Sequence, residues 1–284
     1  MSFVEYNNRK VWLKKGMLLL GFDTIRSIHH IQGLNFIDGI NVLYLNNNEI
    51  EEISDLNRLI ELKELEISNN HIKKISGLKN LENLRSLYLR KNQIEEISGL
   101  ENLHKLEDLH LSENQITRIE GLHNCRNLET FFLDDNQIRE IENLDNLANL
   151  EYLFLDKNRI SEIKGLESLT SLRKLWLNHN RITEIKGLDH LSQLTWLNLS
   201  NNQIAEIKGL ENLPNLRELD LSGNQITQIK GLEQLPNLQR LNLSLNNIRV
   251  VENLDHLPND CVKIINDNPV EEIRHDLEIG RAHV

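Results

Sequence analysis

Apolar residues recur along this chain with a fixed 22-residue period. In one unit they are Leu84, Leu87, Leu89, Ile94 and Ile97, and the same residue types return in the units on either side. The pattern L-x-x-L-x-L-x-x-N-x-I-x-x-I-x-G-L-x-x-L-x-x describes ten units without insertion or deletion. A fixed period of this length is typical of repeat architectures, so the pattern predicts one continuous solenoid rather than two packed domains.

Each unit contains one asparagine at the same place. The asparagines follow one another at 22-residue steps: Asn48, Asn70, Asn92, Asn114, Asn136, Asn158, Asn180, Asn202, Asn224, Asn246 and Asn268. A polar side chain in an inward-facing column is costly unless it is hydrogen-bonded, and an amide can both donate and accept. We therefore expect a structural ladder that bonds the backbone of neighbouring turns, rather than a catalytic row.

The spacing of the leucines also predicts the secondary structure of a unit. Leu87 and Leu89 alternate across a short strand, and each unit adds one such strand to a parallel sheet. Because parallel strands need a crossover, the segment from Ile94 to Leu103 must return the chain to the start of the next strand. We expect this segment to form a turn followed by a short 3₁₀ or α-turn.

The motif just described resembles the leucine-rich repeat over about residues 40–257. The 22-residue spacing and the N-x-I-x-x-I-x-G-L-x-x-L half resemble the shortest repeat class, found in the regulatory subunit of protein phosphatase 1 and in bacterial internalins. The resemblance implies an α/β solenoid with a curved parallel sheet on its concave face and short 3₁₀ or turn segments on its convex face. It does not name a partner, because this fold hosts many unrelated binders.

The ends of the repeat array are expected to be caps, since an open solenoid would otherwise expose its core. We assign residues 40–257 to ten repeats, residues 1–39 to an N-terminal cap with a degenerate repeat, and residues 258–284 to a C-terminal cap and tail. The stretch VWLKKGMLLL, residues 11–20, predicts a β-hairpin that turns at Lys14 and Gly16. Arg26 replaces the ladder asparagine, and the tail Leu277–Val284 is expected to be frayed.

Composition narrows the function classes. A net charge of -11 argues against binding to nucleic acid, which needs a basic face. Two cysteines cannot form a disulfide framework, and no run approaches the roughly 20 apolar residues that span a bilayer. The stretch from Met1 to Lys15 does not look like a signal peptide. We expect a monomer that is cytoplasmic, or nuclear if the source is a eukaryote, with no membrane or nucleic-acid partner.

No catalytic chemistry is evident in the sequence. The phosphate-binding glycine motifs are absent, and the eleven histidines lack partners at the spacing of metal ligands. Asp134 and Asp135 resemble a calcium loop for three residues only. We therefore predict a non-enzymatic protein without a metal or cofactor.

The stretch ETFFLDDNQ, residues 129–137, contains adjacent phenylalanines, of which only one can face the core. Phe131 takes a leucine position and is expected to be core, so Phe132 must face outward. Between residues 45 and 260 there are seven aromatic residues, and all except Phe131 fall in two outward-facing columns of the sheet. A solenoid does not need exposed aromatic residues to fold, so their segregation favours an interaction site.

Aromatic anchors with a charged rim are typical of protein-binding surfaces. The predicted partner-binding residues are Tyr88, Phe132, Asp134, Asp135, Tyr152, Phe154, Asp156, Trp176 and Trp196. The alternative is that these aromatic residues only pack across neighbouring strands. Columns of glutamate and lysine on the turn side, which include Glu162 and Lys164, are interpreted as a solvated face of compensating charges.

We therefore predict a protein–protein interaction scaffold. The resemblance to the phosphatase regulator implies a phosphatase catalytic domain as the partner on the concave face. The alternative is an internalin-like surface adhesin module.

Overall fold

Short strands recur with the 22-residue period of the sequence in the computed structural model, which describes residues 2–21 and 24–274. Ten of them follow the repeats: β4 (Val42–Tyr44), β5 (Glu64–Glu66), β6 (Ser86–Tyr88), β7 (Asp108–His110), β8 (Thr130–Phe132), β9 (Tyr152–Phe154), β10 (Lys174–Trp176), β11 (Trp196–Asn198), β12 (Glu218–Asp220) and β13 (Arg240–Asn242). The predicted phase is confirmed. The tail Leu277–Val284 lies outside the described residues.

The repeat strands belong to one parallel sheet of twelve strands. It begins at β3 (Met17–Leu19), runs through β4 to β13 in chain order and ends at β15 (Val262–Ile264). From β4 onward, paired residues are one repeat apart, so that Phe132 lies opposite His110 and Phe154. Each position of the repeat therefore becomes a straight column across the sheet.

The core is one continuous cluster beneath the sheet, as the regular period predicts. The central residue of each repeat strand is buried, and the aromatic example, Phe131, is fully buried. Cys125 takes a leucine position and is fully buried in the same cluster, where burial raises the pKa of its thiol to about 11. This cysteine is therefore a small core residue rather than a reactive thiol.

The return segments on the opposite side are turns. In one unit the Leu103 N–H donates to the Leu100 carbonyl at 3.0 Å, and the Leu106 N–H donates to the Leu103 carbonyl at 3.1 Å. The helices of the described residues are two three-residue 3₁₀ helices, Ile28–His30 and Leu34–Phe36. None of the described helices has the length and hydropathy of a membrane span.

One position of the return segment requires a residue that tolerates the left-handed backbone region. At Gly99 the backbone φ is +70°, and a Cβ atom would lie 2.4 Å from the Ile75 carbonyl oxygen of the preceding turn. Asn143 occupies the same repeat position with φ 59°. Its Nδ2 atom donates to the equivalent carbonyl, that of Ile119, at 2.7 Å. Because asparagine tolerates the left-handed region, the tight turn is kept.

The buried asparagines form the predicted ladder. The Asn114 Oδ1 atom accepts from the Ile94 N–H at 3.0 Å, and its Nδ2 atom donates to the carbonyls of Leu89 and Leu111, each at 3.0 Å. Ile94 and Leu89 belong to the preceding turn, so the side chain joins two turns. The same contacts recur from Asn48 to Asn268.

The N-terminal hairpin differs from the prediction. Its strands are β1 (Phe3–Tyr6) and β2 (Arg9–Trp12), which pair antiparallel around Asn7 and Asn8. The chain does turn at Lys14, where the backbones of Lys14 and Met17 exchange hydrogen bonds of 3.0 and 2.9 Å. Residues after this turn form β3, which joins the large sheet because Leu18 and Leu20 can then be buried.

The C-terminal end keeps the 22-residue register but adds a second pair of strands. The short strands β14 (Val250–Val251) and β16 (Glu272–Ile273) pair with each other beside the end of the sheet. Leu254, Leu257 and Cys261 complete the buried cluster there. Ile273 is exposed, so the apolar column ends in this unit.

We expect Asn136→Ala to destabilise the fold by about 1–3 kcal/mol, because it leaves the buried N–H of Ile116 without an acceptor. It also removes one of the two side-chain donors from the carbonyls of Leu111 and Leu133, which keep Asn114 and Asn158. Urea denaturation measures the loss. The matched control is Asn127→Ala, since Asn127 is exposed and donates one bond, to the His104 carbonyl. Equal losses for both variants would contradict the structural role of the ladder.

Candidate functional site

The open face of the sheet is formed by the two residues that flank the buried centre of each strand. From β4 to β12 these flanking residues are half-buried. Adjacent residues of a strand point to opposite faces. Phe131 therefore enters the core, while Phe132 lies on the open face, as predicted.

Six rings from the consecutive strands β6 to β11 form a continuous stack, which we call the aromatic ridge. Its members are Tyr88, His110, Phe132, Phe154, Trp176 and Trp196, and their successive centroid distances are 4.5, 4.0, 4.0, 4.0 and 5.9 Å. The planes of Phe132 and Phe154 differ by only 9°, and those of Phe154 and Trp176 by 13°. The ridge spans about 24 Å if neighbouring strands are about 4.8 Å apart.

The rings are less exposed than the sequence predicts. Phe132, Trp176 and Trp196 are half-buried rather than open to water. The reason is the strand spacing, which is close enough for each ring to cover its neighbour's face. The faces are thus occupied within the ridge, and the ring edges, which carry positive partial charge, are left for contact with solvent or a partner.

His110 is a member of the ridge that the predicted site omits. Its ring lies between those of Tyr88 and Phe132. Burial lowers its pKa to about 4, so this imidazole is neutral at pH 7 and can stack like the other rings. The signal was present in the sequence, because His110 occupies the same repeat position as its two neighbours.

Tyr152 lies beside the ridge rather than in it. It belongs to the neighbouring column, and the Nζ atom of Lys174 is 6.0 Å from its ring centroid. The same ammonium group is 5.4 Å from the ring centroid of Trp196. A cation of the chain itself therefore already lies near the ring faces at this end of the surface.

Carboxylates follow the ridge along one flank, at the ends of the strands. Asp134 accepts a hydrogen bond of 2.5 Å from the Ser112 hydroxyl. Asp156 occupies the same position one repeat further along, where burial and the nearby Asp134 raise its pKa to about 6. In the next repeat, the Oδ1 atom of Asn178 is buried and has no donor among the described residues. This flank presents hydrogen-bond acceptors with few donors.

Asp135 is separate from this row. Its backbone lies in the left-handed region with φ 55°, its side chain is exposed, and its carboxylate is 3.8 Å from the Lys157 Nζ atom. The structure therefore brings Asp134 and Asp156 to the edge of the ridge and leaves Asp135 further out in an ion pair.

Ion pairs account for much of the charge around the ridge. Arg85 pairs with Glu107, Arg90 with Glu113 at 2.5 Å, and Arg173 with Glu151 at 3.2 Å. Four carboxylates near the middle of the ridge have no ion pair within the described part of the chain: Asp108, Glu129, Asp134 and Asp156. The negative charge that remains is thus concentrated on both sides of Phe132 and Phe154.

The turn side carries a ladder of ion pairs, as the alternating columns predict. Lys164 lies 2.9 Å from Glu140, and Lys186 lies 2.9 Å from Glu162 and 3.6 Å from Glu184. The side chains of these lysines and glutamates are 42–61% exposed, so each pair contributes little stability. The turn-side charges compensate one another, unlike those beside the ridge.

No group of three or more His, Cys, Asp or Glu residues is arranged to hold a metal ion within residues 2–21 and 24–274. The two cysteines are free and buried.

Comparison with known protein families gives repeated matches along the array. The profile described as "Leucine Rich repeats (2 copies)" matches residues 38–80, 60–102, 82–119, 104–146, 148–190, 192–234 and 214–259. No curated protein sequence matches the chain.

Solved structures share this fold. An internalin, InlF, from Listeria monocytogenes is 28% identical with a TM-score of 0.71, over 93% of this chain and 87% of that one. A chain of the octameric complex of latrophilin 3, Unc5D and FLRT2, which contains the leucine-rich repeats of FLRT2, is 26% identical with a TM-score of 0.69, over 84% of each chain. The TLR13–ssRNA13 complex gives 26% identity and a TM-score of 0.75, over 83% of this chain and 37% of that one.

Adjacent phenylalanines provide a matched test of the two faces. We expect Phe131→Ala to cost about 3–5 kcal/mol, because it leaves a cavity in the core. Phe132→Ala should cost only about 1–2 kcal/mol, because it removes two ring contacts on a half-buried surface. Urea denaturation of both variants measures the difference. If Phe132→Ala is the more damaging change, the two faces are assigned the wrong way round.

The raised pKa of Asp156 predicts a pH-dependent stability difference. The folded state binds the proton of the Asp156 carboxyl group more tightly than the unfolded chain does. The stability that Asp156 adds to the fold is therefore complete below pH about 4, and it is lost as the pH rises through about 6. Asp156→Asn should therefore be more stable than the parent at pH 7.5, by about 1 kcal/mol once partial exposure is allowed for. The difference should vanish near pH 4.

The comparison must be between the two proteins at each pH, because His110 acts in the opposite direction. Its lowered pKa favours the neutral form, so its contribution is lost as the pH falls. Both proteins contain His110, and its effect cancels in the difference. Equal stability of the two proteins at pH 7.5 would show that folding does not raise the pKa of Asp156.

Proposed function

Because the chain belongs to the leucine-rich repeat family, we propose that it is a non-enzymatic scaffold that binds a partner protein along the aromatic ridge and its acidic flanks. The observation that carries the proposal is the ridge itself, a half-buried stack of six rings on the open face of the sheet. The buried core is complete beneath the sheet, so the fold does not require these rings. A partner surface gives their segregation a reason.

The exposed edges of the rings define the apolar part of the partner. A ring edge attracts groups with negative partial charge, such as the face of another aromatic ring, a methionine sulfur or a carbonyl oxygen. A lysine or arginine placed above the ridge would find no free ring face between Phe132 and Trp176, because those faces are stacked at 4.0 Å. The partner should therefore contact the ridge with aromatic, methionine or other apolar side chains.

The flanks define the charged part of the partner. Asp108 and Glu129 lie on one side of the ridge and Asp134 and Asp156 on the other, without ion pairs among the described residues. Next to this row, the Asn178 Oδ1 atom is a buried acceptor without a donor. Arginine or lysine side chains on both sides of the partner's apolar contact would supply the missing donors and charge.

The relatives support a scaffold without naming its partner. The FLRT2 structure is that of a complex with other proteins, and the InlF structure is that of an internalin. The similarity to an internalin favours the alternative function, a surface adhesin module. The regulation of a phosphatase catalytic domain, and with it a cytoplasmic or nuclear location, rests on the resemblance of the repeat motif and remains a proposal.

Affinity capture from the source cell tests the surface. We expect the parent protein to retain a partner that the Phe132→Ala/Trp176→Ala variant loses, because both rings belong to the ridge. Lys164→Ala/Lys186→Ala on the turn side is the matched control and should retain the partner. The identity of the captured protein distinguishes a phosphatase catalytic domain from a host-surface receptor.

Quantitative binding with the captured partner sharpens the test. Trp176→Ala should weaken binding by about 2 kcal/mol, roughly thirtyfold. Asp134→Asn/Asp156→Asn should mainly slow association, and this effect should diminish as salt is raised. If the partner binds the ridge variants as tightly as the parent and is lost from the turn-side control, the binding surface lies on the turn side.

A further inference from the structure

A groove at the N-terminal end of the solenoid differs in character from the aromatic ridge. It lies between β2 and β3 and has a volume of about 770 Å³. Four basic and four apolar residues line it, and none of them is acidic: Arg9, Lys10, Val11, Trp12, Lys14, Lys15, Met17 and Leu19. We call it the N-terminal groove.

Its charge is opposite to that of the chain. Residues 2–21 contain four basic side chains and a single carboxylate, that of Glu5, although the whole chain carries a net charge of -11. Lys14 and Lys15 are exposed and form no ion pair with any described residue. On the turn side, by contrast, Lys164, Lys186 and Lys208 form ion pairs with glutamates. The groove is therefore a local basic site on an acidic protein.

Three apolar residues of the groove, Trp12, Met17 and Leu19, are exposed but held in place. Trp12 is 43% exposed and Leu19 is 55% exposed. The ring of Trp12 packs against that of Phe3 with centroids 4.9 Å apart, so it is fixed on the hairpin. Leu19 projects from β3, a strand of the large sheet. Exposed apolar side chains on rigid strands are typical of a binding surface.

The backbone beside the groove is open at Leu19, whereas the backbone groups of Met17, which face the same side, are bonded to Lys14. In a parallel pair, alternate residues direct their N–H and C=O groups to the same neighbour. Gly16 and Leu20 bond to the β4 side, so Leu19 directs its backbone groups away from β4. The sheet ends at β3, and β2 pairs with β1 instead. An extended peptide can add to such an edge.

From these observations we propose that the N-terminal groove binds an extended peptide segment of another protein, in which acidic residues alternate with large apolar ones. Alternation places the apolar side chains toward Trp12 and Leu19 and the carboxylates toward the lysines. A peptide fits better than an anionic membrane surface, because the apolar side chains line a concavity and the open backbone groups need hydrogen-bond partners. The proposal does not depend on the function of the aromatic ridge.

A pair of synthetic peptides tests the proposal. The probe is a fluorescent peptide of about eight residues in which Glu alternates with Leu and Phe, and its counterpart carries Lys in place of Glu. We expect the full chain to bind the acidic peptide and not the basic one at the groove. Lys14→Glu/Lys15→Glu should weaken binding by at least about tenfold, since it reverses the local charge without altering the core. Trp12→Ala should weaken it to a similar extent.

The controls separate this site from other sources of binding. Lys73→Glu/Lys74→Glu reverses another exposed lysine pair and should leave binding unchanged. Trp176→Ala should also have no effect, which distinguishes the groove from the ridge. Three results would overturn the proposal: absence of binding to the acidic peptide, equal binding to all variants, or binding to phosphatidylserine vesicles but not to the peptide.

Discussion

The side chain of each buried asparagine forms hydrogen bonds with backbone groups of its own turn and of the preceding turn. Asn136 accepts from the Ile116 N–H and donates to the carbonyls of Leu111 and Leu133. Without this side chain, the irregular backbone between strand and return segment would leave polar groups unpaired in the core. The contacts span 20 and 25 residues at Asn136 and 23 and 28 residues at Asn48, so the ladder also closes over the longer first turn. Within the ten repeats, the equal spans keep every turn in register with the next.

The same constraint organises the surface. Constant repeats place each outward residue beside its counterpart in the next strand, so that the five rings from Tyr88 to Trp176 align in one column. Trp196 extends the stack from the neighbouring column. Like charges are aligned in the same way. Burial and the aligned Asp134 together raise the pKa of Asp156 to about 6, whereas Glu162 and Lys186 on the turn side form an ion pair at 2.9 Å. The spacing of one repeat aligns residues in columns on the sheet face and on the turn side alike. The residue types then decide whether neighbouring side chains repel, form ion pairs or stack.

At the N-terminal end, where the 22-residue period is lost, surface residues are no longer aligned in columns. Leu18 and Leu43 are paired in the sheet although their separation along the chain is longer than one repeat, so the first turn does not follow the period. The hairpin of β1 and β2 lies outside the large sheet and adds side chains that no repeat column dictates. Trp12 and the neighbouring lysines are such side chains. The chain therefore presents an acidic, aromatic sheet face and a basic groove at its N-terminal end.

Repetition made the fold readable from the amino-acid sequence, because a 22-residue period in Leu87, Asn92 and Ile94 admits one register of stacking. The sequence by itself therefore determined the strands, the ladder, the burial of Phe131 and the outward position of Phe132. Only the tertiary structure decided how the outward residues interact across strands. In the folded protein the ring faces are covered, His110 belongs to the ridge and Tyr152 lies beside it. The sequence did not show this, because the tilt and burial of each ring depend on neighbours one repeat away. The N-terminal hairpin also required the structure, since competition between local pairing and burial of Leu18 is settled only when the whole core is present.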